Sequence, residues 1–401
     1  MQTTKTKTKR WTRKRHTIVI KLAGLVVFPW MKLKYHVKVE KCPQLQNRQC
    51  IVLMNHQTAF DQFFISKALF PRHVYFVASE DLFSLGWLSR LLAWAVAPIP
   101  IKKQTTDVQA VMNCIRVARE GGTIALAPEG NRTFSGLPCY ANPAIAPLVK
   151  KLGLPLALFR IEGGYGIQPR WSDVCRKGKM RAYVSRIMEP EEYKDLTNEQ
   201  LHELIQKELY VDETKNPGPF RHKQLAEYLE RAMYVCPKCG LSEFYSEGDI
   251  ISCKTCGQKI RYLPDQRLQG EENDFPFTYV ADWYAYQNDY VNRLDTQAYW
   301  ETPLYRDRVM LSQVQPYKQK TVLEENAQLL LYGNRLQAGG RTLFFDDIRV
   351  ITVLGKNKLN VYHTDGIYQI KGDARFNALK YMNIFFRHKN QLAGEGDFLG
   401  I

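Results

Sequence analysis

A histidine and an aspartate, four residues between them, stand in Asn55-His56-Gln57-Thr58-Ala59-Phe60-Asp61, directly after the apolar run Cys50-Ile51-Val52-Leu53-Met54. Histidine is the side chain whose ordinary pKa, about 6.5, suits proton abstraction near neutrality. A carboxylate on its second ring nitrogen would fix the tautomer and stabilise the imidazolium. If a substrate hydroxyl is the nucleophile, no serine or cysteine is needed. The spacing restricts the geometry. Five helical steps of about 100° would turn Asp61 about 140° away from His56. The pair can meet only with His56 ahead of a helix and Asp61 in its first turn, for which Asn55 and Thr58 are candidate caps. Some seventy residues on, Pro128-Glu129-Gly130-Asn131-Arg132-Thr133 follows the strand-like run Thr123-Ile124-Ala125-Leu126-Ala127. Gly130 permits close backbone approach, and the Arg132 guanidinium fits a phosphate. Either string alone could be a strand end or a turn with a surface ion pair.

As a pair, in this order, the strings resemble the glycerolipid acyltransferase family, of the 1-acyl-glycerol-3-phosphate acyltransferase type. Its signature is His-x4-Asp followed by a Pro-Glu-Gly-x-Arg-Ser-like block. The resemblance implies His56 as base, Asp61 as its orienting carboxylate, and a glycerol phosphate held at Glu129, Gly130, Asn131, Arg132 and Thr133. Asn131 stands where the family has Thr, and Thr133 where it has Ser; both keep hydrogen-bonding capacity. A more divergent block starts at Ser79-Glu80-Asp81-Leu82-Phe83 and ends at Lys102-Lys103. There Ala78 replaces a family lysine, and Lys102 or Lys103 replaces an arginine. Leu154-Pro155-Leu156-Ala157-Leu158-Phe159 matches the last family block, a strand beside the acyl site. The implied reaction moves an acyl group from acyl-CoA or acyl-carrier protein to a lysophospholipid hydroxyl, with glycerol 3-phosphate or another lysolipid as alternative acceptors.

The chain has 401 residues, 45% of them apolar, enough for two or three domains. Its net charge is +16. Residues 1–39 hold eleven Lys/Arg and no acid, which implies an anionic partner, lipid surface or nucleic acid. Behind the basic tail (1–16) lies an apolar segment (17–35) with Trp11 and Trp30 at its ends. Its uninterrupted apolar run is about ten residues, against roughly twenty for a bilayer span. An interfacial helix on the cytoplasmic face of an anionic membrane is therefore expected, and nucleic acid is disfavoured. A second apolar stretch, 82–101, is broken by Gly86, Pro98 and Pro100. Spanning there would put the two strings on opposite sides of a bilayer, so it is read as buried or interfacial, near the acyl chain.

From 36 to 215, strand-like runs at 50–54, 74–78, 123–127, 156–161 and 180–187 alternate with helical ones. One helix is placed at 109–120 and a closing amphipathic helix at 190–211. An α/β domain with a central sheet flanked by helices follows. Asn216-Pro217-Gly218-Pro219 marks its end. Within 230–262, Cys236-Pro237-Lys238-Cys239-Gly240 and Cys253-Lys254-Thr255-Cys256-Gly257 match tetrahedral thiolate ligation. This resembles a zinc ribbon, with Zn2+ structural because four thiolates leave no open position. Its cysteines beside five scattered ones suggest a reducing compartment. Residues 263–319 read as an aromatic-rich helical linker whose Tyr279, Trp283, Tyr286 and Tyr290 form a packing face. Residues 320–401 read as short strands closed by a helix at 374–386, resembling a pleckstrin-homology or GRAM module. A second class of function stays open: a non-catalytic protein binding lipid or nucleic acid through ribbon and tail.

Overall fold

The computed structural model describes residues 10–79, 82–83, 86–102, 107–216, 218–315 and 320–395. Glu80, Asp81, Lys103, Pro217 and the tail up to residue 9 lie outside them. The chain forms two compact units. The first comprises Met1–Gly130, Ala141–Ile161 and Arg181–Tyr210; the second comprises Asn131–Tyr140, Glu162–Met180 and Val211–Ile401. The continuous 36–215 domain expected from sequence is thus divided, with 131–140, 162–180 and 211–215 grouping with the carboxy-terminal half.

The first unit carries helices α1 (Lys14–Tyr35), α2 (Pro43–Gln46), α3 (Asp61–Ala68), α4 (Trp87–Ala95), α5 (Val108–Arg119) and α6 (Ile145–Leu152). Its strands are β1 (Val37–Val39), β2 (Ile51–Met54), β3 (Val74–Ser79), β4 (Ile99–Ile101), β5 (Thr123–Leu126), β6 (Leu156–Glu162) and β7 (Met180–Met188). They form one sheet in the order β1-β7-β6-β2-β5-β3-β4. β2 pairs in parallel with β5 and β6, and β3 in parallel with β5 and β4. A strand covered on both faces is apolar throughout, and all four residues of β2 are buried. Two helices, α8 (Pro190–Tyr193) and α9 (Asn198–Leu209), stand where one was expected. The break comes from Thr197, which caps α9 in a reciprocal box with Gln200. Leu201, Ile205 and Leu209 then pack on Ile145, Ala146 and Val149 of α6.

α1 is longer than the apolar run suggested. Its 22 residues continue through Pro29, and it is long and apolar enough, by length and composition, to cross a membrane. One face is buried through His16, Met31 and Tyr35, while Leu22, Leu25 and Val26 are exposed. His16 Nδ1 lies 3.0 Å from the Tyr75 hydroxyl, and its ring packs beside His73. Burial pushes both imidazoles down to about 4. α4 is a surface helix rather than a buried one: Trp87, Leu91 and Trp94 are exposed. Arg15 Nε donates to the Trp94 carbonyl at 3.0 Å, tying α1 to α4.

The second unit adds α7 (Gly164–Ile167), α10 (Val280–Asn292) and α11 (Leu379–Ala393). A hairpin of β8 (Val235–Cys236) and β9 (Gly240–Leu241) is followed by a four-stranded sheet. Its strands are β10 (Phe244–Glu247), β11 (Ile250–Cys253), β12 (Lys259–Tyr262) and β13 (Leu268–Gly270). The ribbon sheet therefore runs to Gly270, past the expected 262. A seven-stranded antiparallel sheet holds β14 (Tyr305–Val314), β15 (Thr321–Leu331), β16 (Arg335–Ala338), β17 (Arg341–Phe344), β18 (Ile348–Leu354), β19 (Lys358–His363) and β20 (Gly366–Gly372). Their order is β17-β16-β15-β14-β20-β19-β18. This β-rich region begins at Tyr305, inside the stretch read as a linker, and α11 packs on β18.

The supposed linker is core. Trp283 of α10 is fully buried, and its indole donates to the Val235 carbonyl at 2.8 Å. Gln287 accepts from the Tyr234 amide at 2.7 Å and donates to Ala232 O at 3.0 Å. One apolar cluster runs from Phe134 and Trp171 through the ribbon into the seven-stranded sheet.

Candidate active site

His56 and Asp61 meet as the spacing required. His56 lies in the loop after β2, and Asp61 is the first residue of α3. His56 Nδ1 is 2.8 Å from Asp61 Oδ2. The carboxylate is fully buried and accepts three further groups: the Gln57 amide at 2.8 Å, the Thr58 amide at 2.9 Å and the Thr58 hydroxyl at 2.7 Å. A carboxylate held this way keeps its direction. With Nδ1–H directed at Asp61, the imidazole lone pair sits on Nε2, the basic nitrogen. The His56 side chain is 26% exposed, so the imidazole is within reach of solvent while its partner is not.

The expected caps act differently. Asn55 Nδ2 donates to the Ile161 carbonyl and its Oδ1 accepts the Ile161 amide, both at 2.8 Å, which pins the loop to β6. Thr58 serves Asp61 and accepts the Phe60 amide at 3.2 Å. α1 reaches this loop: Trp30 packs edge-on against Phe60 at 5.5 Å, and Lys34 Nζ lies 5.2 Å over the same ring.

Glu129 and Gly130 lie in the turn that follows β5, the strand beside β2, so they emerge at the same carboxyl edge as His56. Gly130 has φ +63° and its amide donates to the Ala127 carbonyl at 3.0 Å. That tight left-handed turn is the reason for a glycine here. Lys102 follows β4 at the same edge and is exposed; its amide donates to Asp107 Oδ2 at 2.9 Å. Asn131, Arg132 and Thr133 open the 131–140 segment of the second unit. Thr133 is buried, and its hydroxyl oxygen accepts the Ser135 amide at 3.1 Å and the Gly136 amide at 3.0 Å, so it shapes the loop. In the same unit Arg170 donates to the Arg132 carbonyl at 3.0 Å. Arg170 carries no motif and was not legible in the sequence.

The four ribbon cysteines converge. Their sulfurs all lie within 4.8 Å of one another, and Cys236 Sγ to Cys256 Sγ is 3.8 Å. A tetrahedron with Zn–S of about 2.3 Å requires S···S of about 3.8 Å. Burial opposes ionisation of Cys253, but the amides of Cys256 and Thr255 outweigh it and bring the thiol down to about 7. Gly240 (φ +71°) and Gly257 (φ +75°) make the turn after each pair. The donor set fits zinc.

Fold and dyad together describe an α/β protein with an imidazole held by a buried carboxylate at the carboxyl edge of its sheet. Residues 36–159 match the acyltransferase family model. That region of the chain is of the acyltransferase type. It is similar to the 1-acyl-sn-glycerol-3-phosphate acyltransferase BAT2, chloroplastic, of Brassica napus, at 21% identity over 182 residues. That stretch is 44% of this chain and 51% of the Brassica protein, so the chain spans about half of that relative. A 1-acyl-sn-glycerol-3-phosphate acyltransferase of Bacillus subtilis is 18% identical over 151 residues, 37% of this chain and 72% of that one. Among solved structures, the 1-acyl-sn-glycerophosphate (LPA) acyltransferase PlsC of Thermotoga maritima aligns with a TM-score of 0.39 and 22% identity, covering 50% of this chain and 77% of that one.

Proposed function

We propose that this protein transfers an acyl group from a thioester donor to the free hydroxyl of a lysophospholipid, with 1-acyl-glycerol-3-phosphate as acceptor. The observation that carries the reading is the buried, multiply bonded Asp61 carboxylate on His56. His56 Nε2 takes the proton of the acceptor hydroxyl as its oxygen attacks the thioester carbonyl. The C–O bond forms to give a tetrahedral intermediate, whose collapse restores the carbonyl and breaks the C–S bond. The thiolate leaves and takes the proton from the imidazolium, which Asp61 stabilises throughout. Glu129, Gly130, Asn131, Arg132, Thr133 and Lys102 are assigned to the acceptor's phosphate end, with Arg132 as the principal contact. Acyl-CoA and acyl-carrier protein are both admissible donors. Zn2+ in the Cys236–Cys239–Cys253–Cys256 site supports the fold and takes no part in transfer.

The acceptor would be reached from a membrane surface. α1 and α4 present exposed Leu22, Leu25, Val26, Trp87 and Trp94 beside a strongly basic amino terminus, which suits the cytoplasmic face of an anionic bilayer. The test is purified protein offered a panel of lysolipids and glycerol 3-phosphate with each donor, products read by mass. Wild type should acylate the lysophosphatidate. His56→Ala should lose about 10²–10⁴-fold in rate, and Asp61→Asn a comparable factor. If His56→Ala keeps more than about a tenth of the rate, the mechanism is wrong. If wild type binds lysolipid and transfers nothing, the protein is a lipid-binding one.

A further inference from the structure

Within the second unit, the segment that carries Arg132 is gripped by a buried guanidinium. Arg170 is 5% exposed. Its Nη1 donates to the Arg132 carbonyl at 3.0 Å, its Nη2 to the Val353 carbonyl at 3.1 Å and its Nε to the Gly355 carbonyl at 3.4 Å. Its planar face lies 4.2 Å over the Phe134 ring. Val353 is the penultimate residue of β18, and Gly355 belongs to the turn into β19, so one side chain spans the Arg132 backbone and the carboxy-terminal sheet. Burial and the nearby Arg132 charge push Arg170 down to about 10, which still leaves it charged at neutral pH.

The same turn is anchored a second time. Lys356, next to Gly355, bonds Asp173 at 2.6 Å and also the Ser172 carbonyl. Asp173 receives both ends of the Arg231 guanidinium at 2.9 Å. Burial raises the Asp173 carboxyl, but the Arg231 and Lys356 bonds outweigh it and bring it to about 2. Arg231 continues to the Trp171 carbonyl at 2.8 Å and the Ala374 carbonyl at 2.6 Å. Residues 170–173 are thereby fixed between the loop of 131–140 and the β18–β19 turn. A fork with three carbonyl partners sets a backbone position that a single hydrogen bond would not.

We propose that Arg170 is a positioning residue for the acceptor's phosphate: it sets the Arg132 backbone from the β18–β19 turn, which makes the carboxy-terminal sheet part of the phosphate grip. This rests on the reading of Arg132 as the phosphate contact. A misplacement of about 1 Å at a positioning group can cost up to about a hundredfold, so an effect on acceptor affinity should be measurable. Loss of ordinary fold stability would not depend on what Arg132 does.

The experiment is steady-state kinetics of the full chain at saturating donor, with a lysophosphatidate and with a monoacylglycerol as acceptors. The variants are Arg132→Ala, Arg170→Gln and their double. Where turnover is lost, affinity is read as the Kd for lysophosphatidate in the His56→Ala background. Arg170→Gln should raise the lysophosphatidate KM about tenfold with kcat within about twofold. It should leave the monoacylglycerol KM unchanged and add nothing to Arg132→Ala. Additive effects, or equal losses with both acceptors, overturn the proposal. If Arg132→Ala leaves the lysophosphatidate KM unchanged, the phosphate reading itself fails and this inference falls with it. Should Arg170→Gln fail to fold, Gly355→Val disturbs the same turn. Gly355 has φ +64° with open space around the position of a Cβ, so the change is backbone strain without a clash. A folded Gly355→Val with unchanged lysophosphatidate KM also overturns the proposal.

Discussion

Two buried carboxyl groups sit in different surroundings. Asp61 receives donors on both oxygens, from Gln57, Thr58 and His56. Glu213 is fully buried with the Gly163 amide donating to it at 2.7 Å, and burial pushes its carboxyl up to about 8, from a usual 4.5. Glu213 is therefore protonated at neutral pH, and the sign of its pH effect follows. Between about 4.5 and about 8 the unfolded chain releases this proton while the folded chain keeps it, so stability falls as pH rises through that window and levels above it. Glu213→Gln keeps an acceptor for Gly163 and removes the titration. Chemical denaturation at about pH 5 and about pH 8.5 should show a shallower decline for the variant than for wild type. Identical declines would mean that Glu213 does not hold its proton in the fold.

At the scale of elements, the ribbon is built into its surroundings rather than hung from them. Trp283 and Gln287 of α10 bond the β8 strand and the residues before it, and a Cβ at Gly240 would meet the Tyr290 hydroxyl at 2.4 Å. A metal that ties two turns into this core should stabilise the second unit directly. Metal analysis of the purified protein should give about one zinc per chain, and Cys239→Ser should lose it. The same change should lower Tm by several degrees. An unchanged melting curve after complete chelation would show that the four thiolates do not serve the fold.

At the scale of the whole molecule, charge and apolar surface act together. The net charge is +16, and eleven cations precede the first acid. Each Lys or Arg near an anionic surface contributes about 1 kcal/mol, screened by salt, while inserted apolar side chains are not screened. Leu22 and Leu25 are 65% and 74% exposed, so changing them spares the buried face of α1 that holds His16 and Tyr35. Leu22→Glu with Leu25→Glu should abolish sedimentation with anionic vesicles at high salt while leaving the melting curve intact. Vesicle binding equal to wild type would exclude α1 as the membrane contact. Protease protection in sealed vesicles reads topology: an amino terminus and a ribbon on opposite sides would establish a span.

The sequence by itself determined what is local. His-x4-Asp fixed that His56 must precede a helix and Asp61 begin it, because helical rotation allows no other meeting. The apolar-rich runs at 50–54, 123–127 and 156–161 gave the parallel strands, since a strand covered on both faces has little polar alternation. The paired Cys-x2-Cys spacing gave the convergence of four sulfurs. Only the tertiary structure decided the rest. α1 starts at Lys14, three residues ahead of the expected 17, and neighbours cover one of its faces through His16, Met31 and Tyr35. The 263–319 stretch became core because burial of Trp283 and of β14 depends on partners far away in the chain. The assignment of 131–140 and 162–180 to the second unit, and the grip of Arg170 on Arg132, join residues 38 and 183 positions apart. No local pattern encodes such distances; they exist only once the chain has closed its long loops.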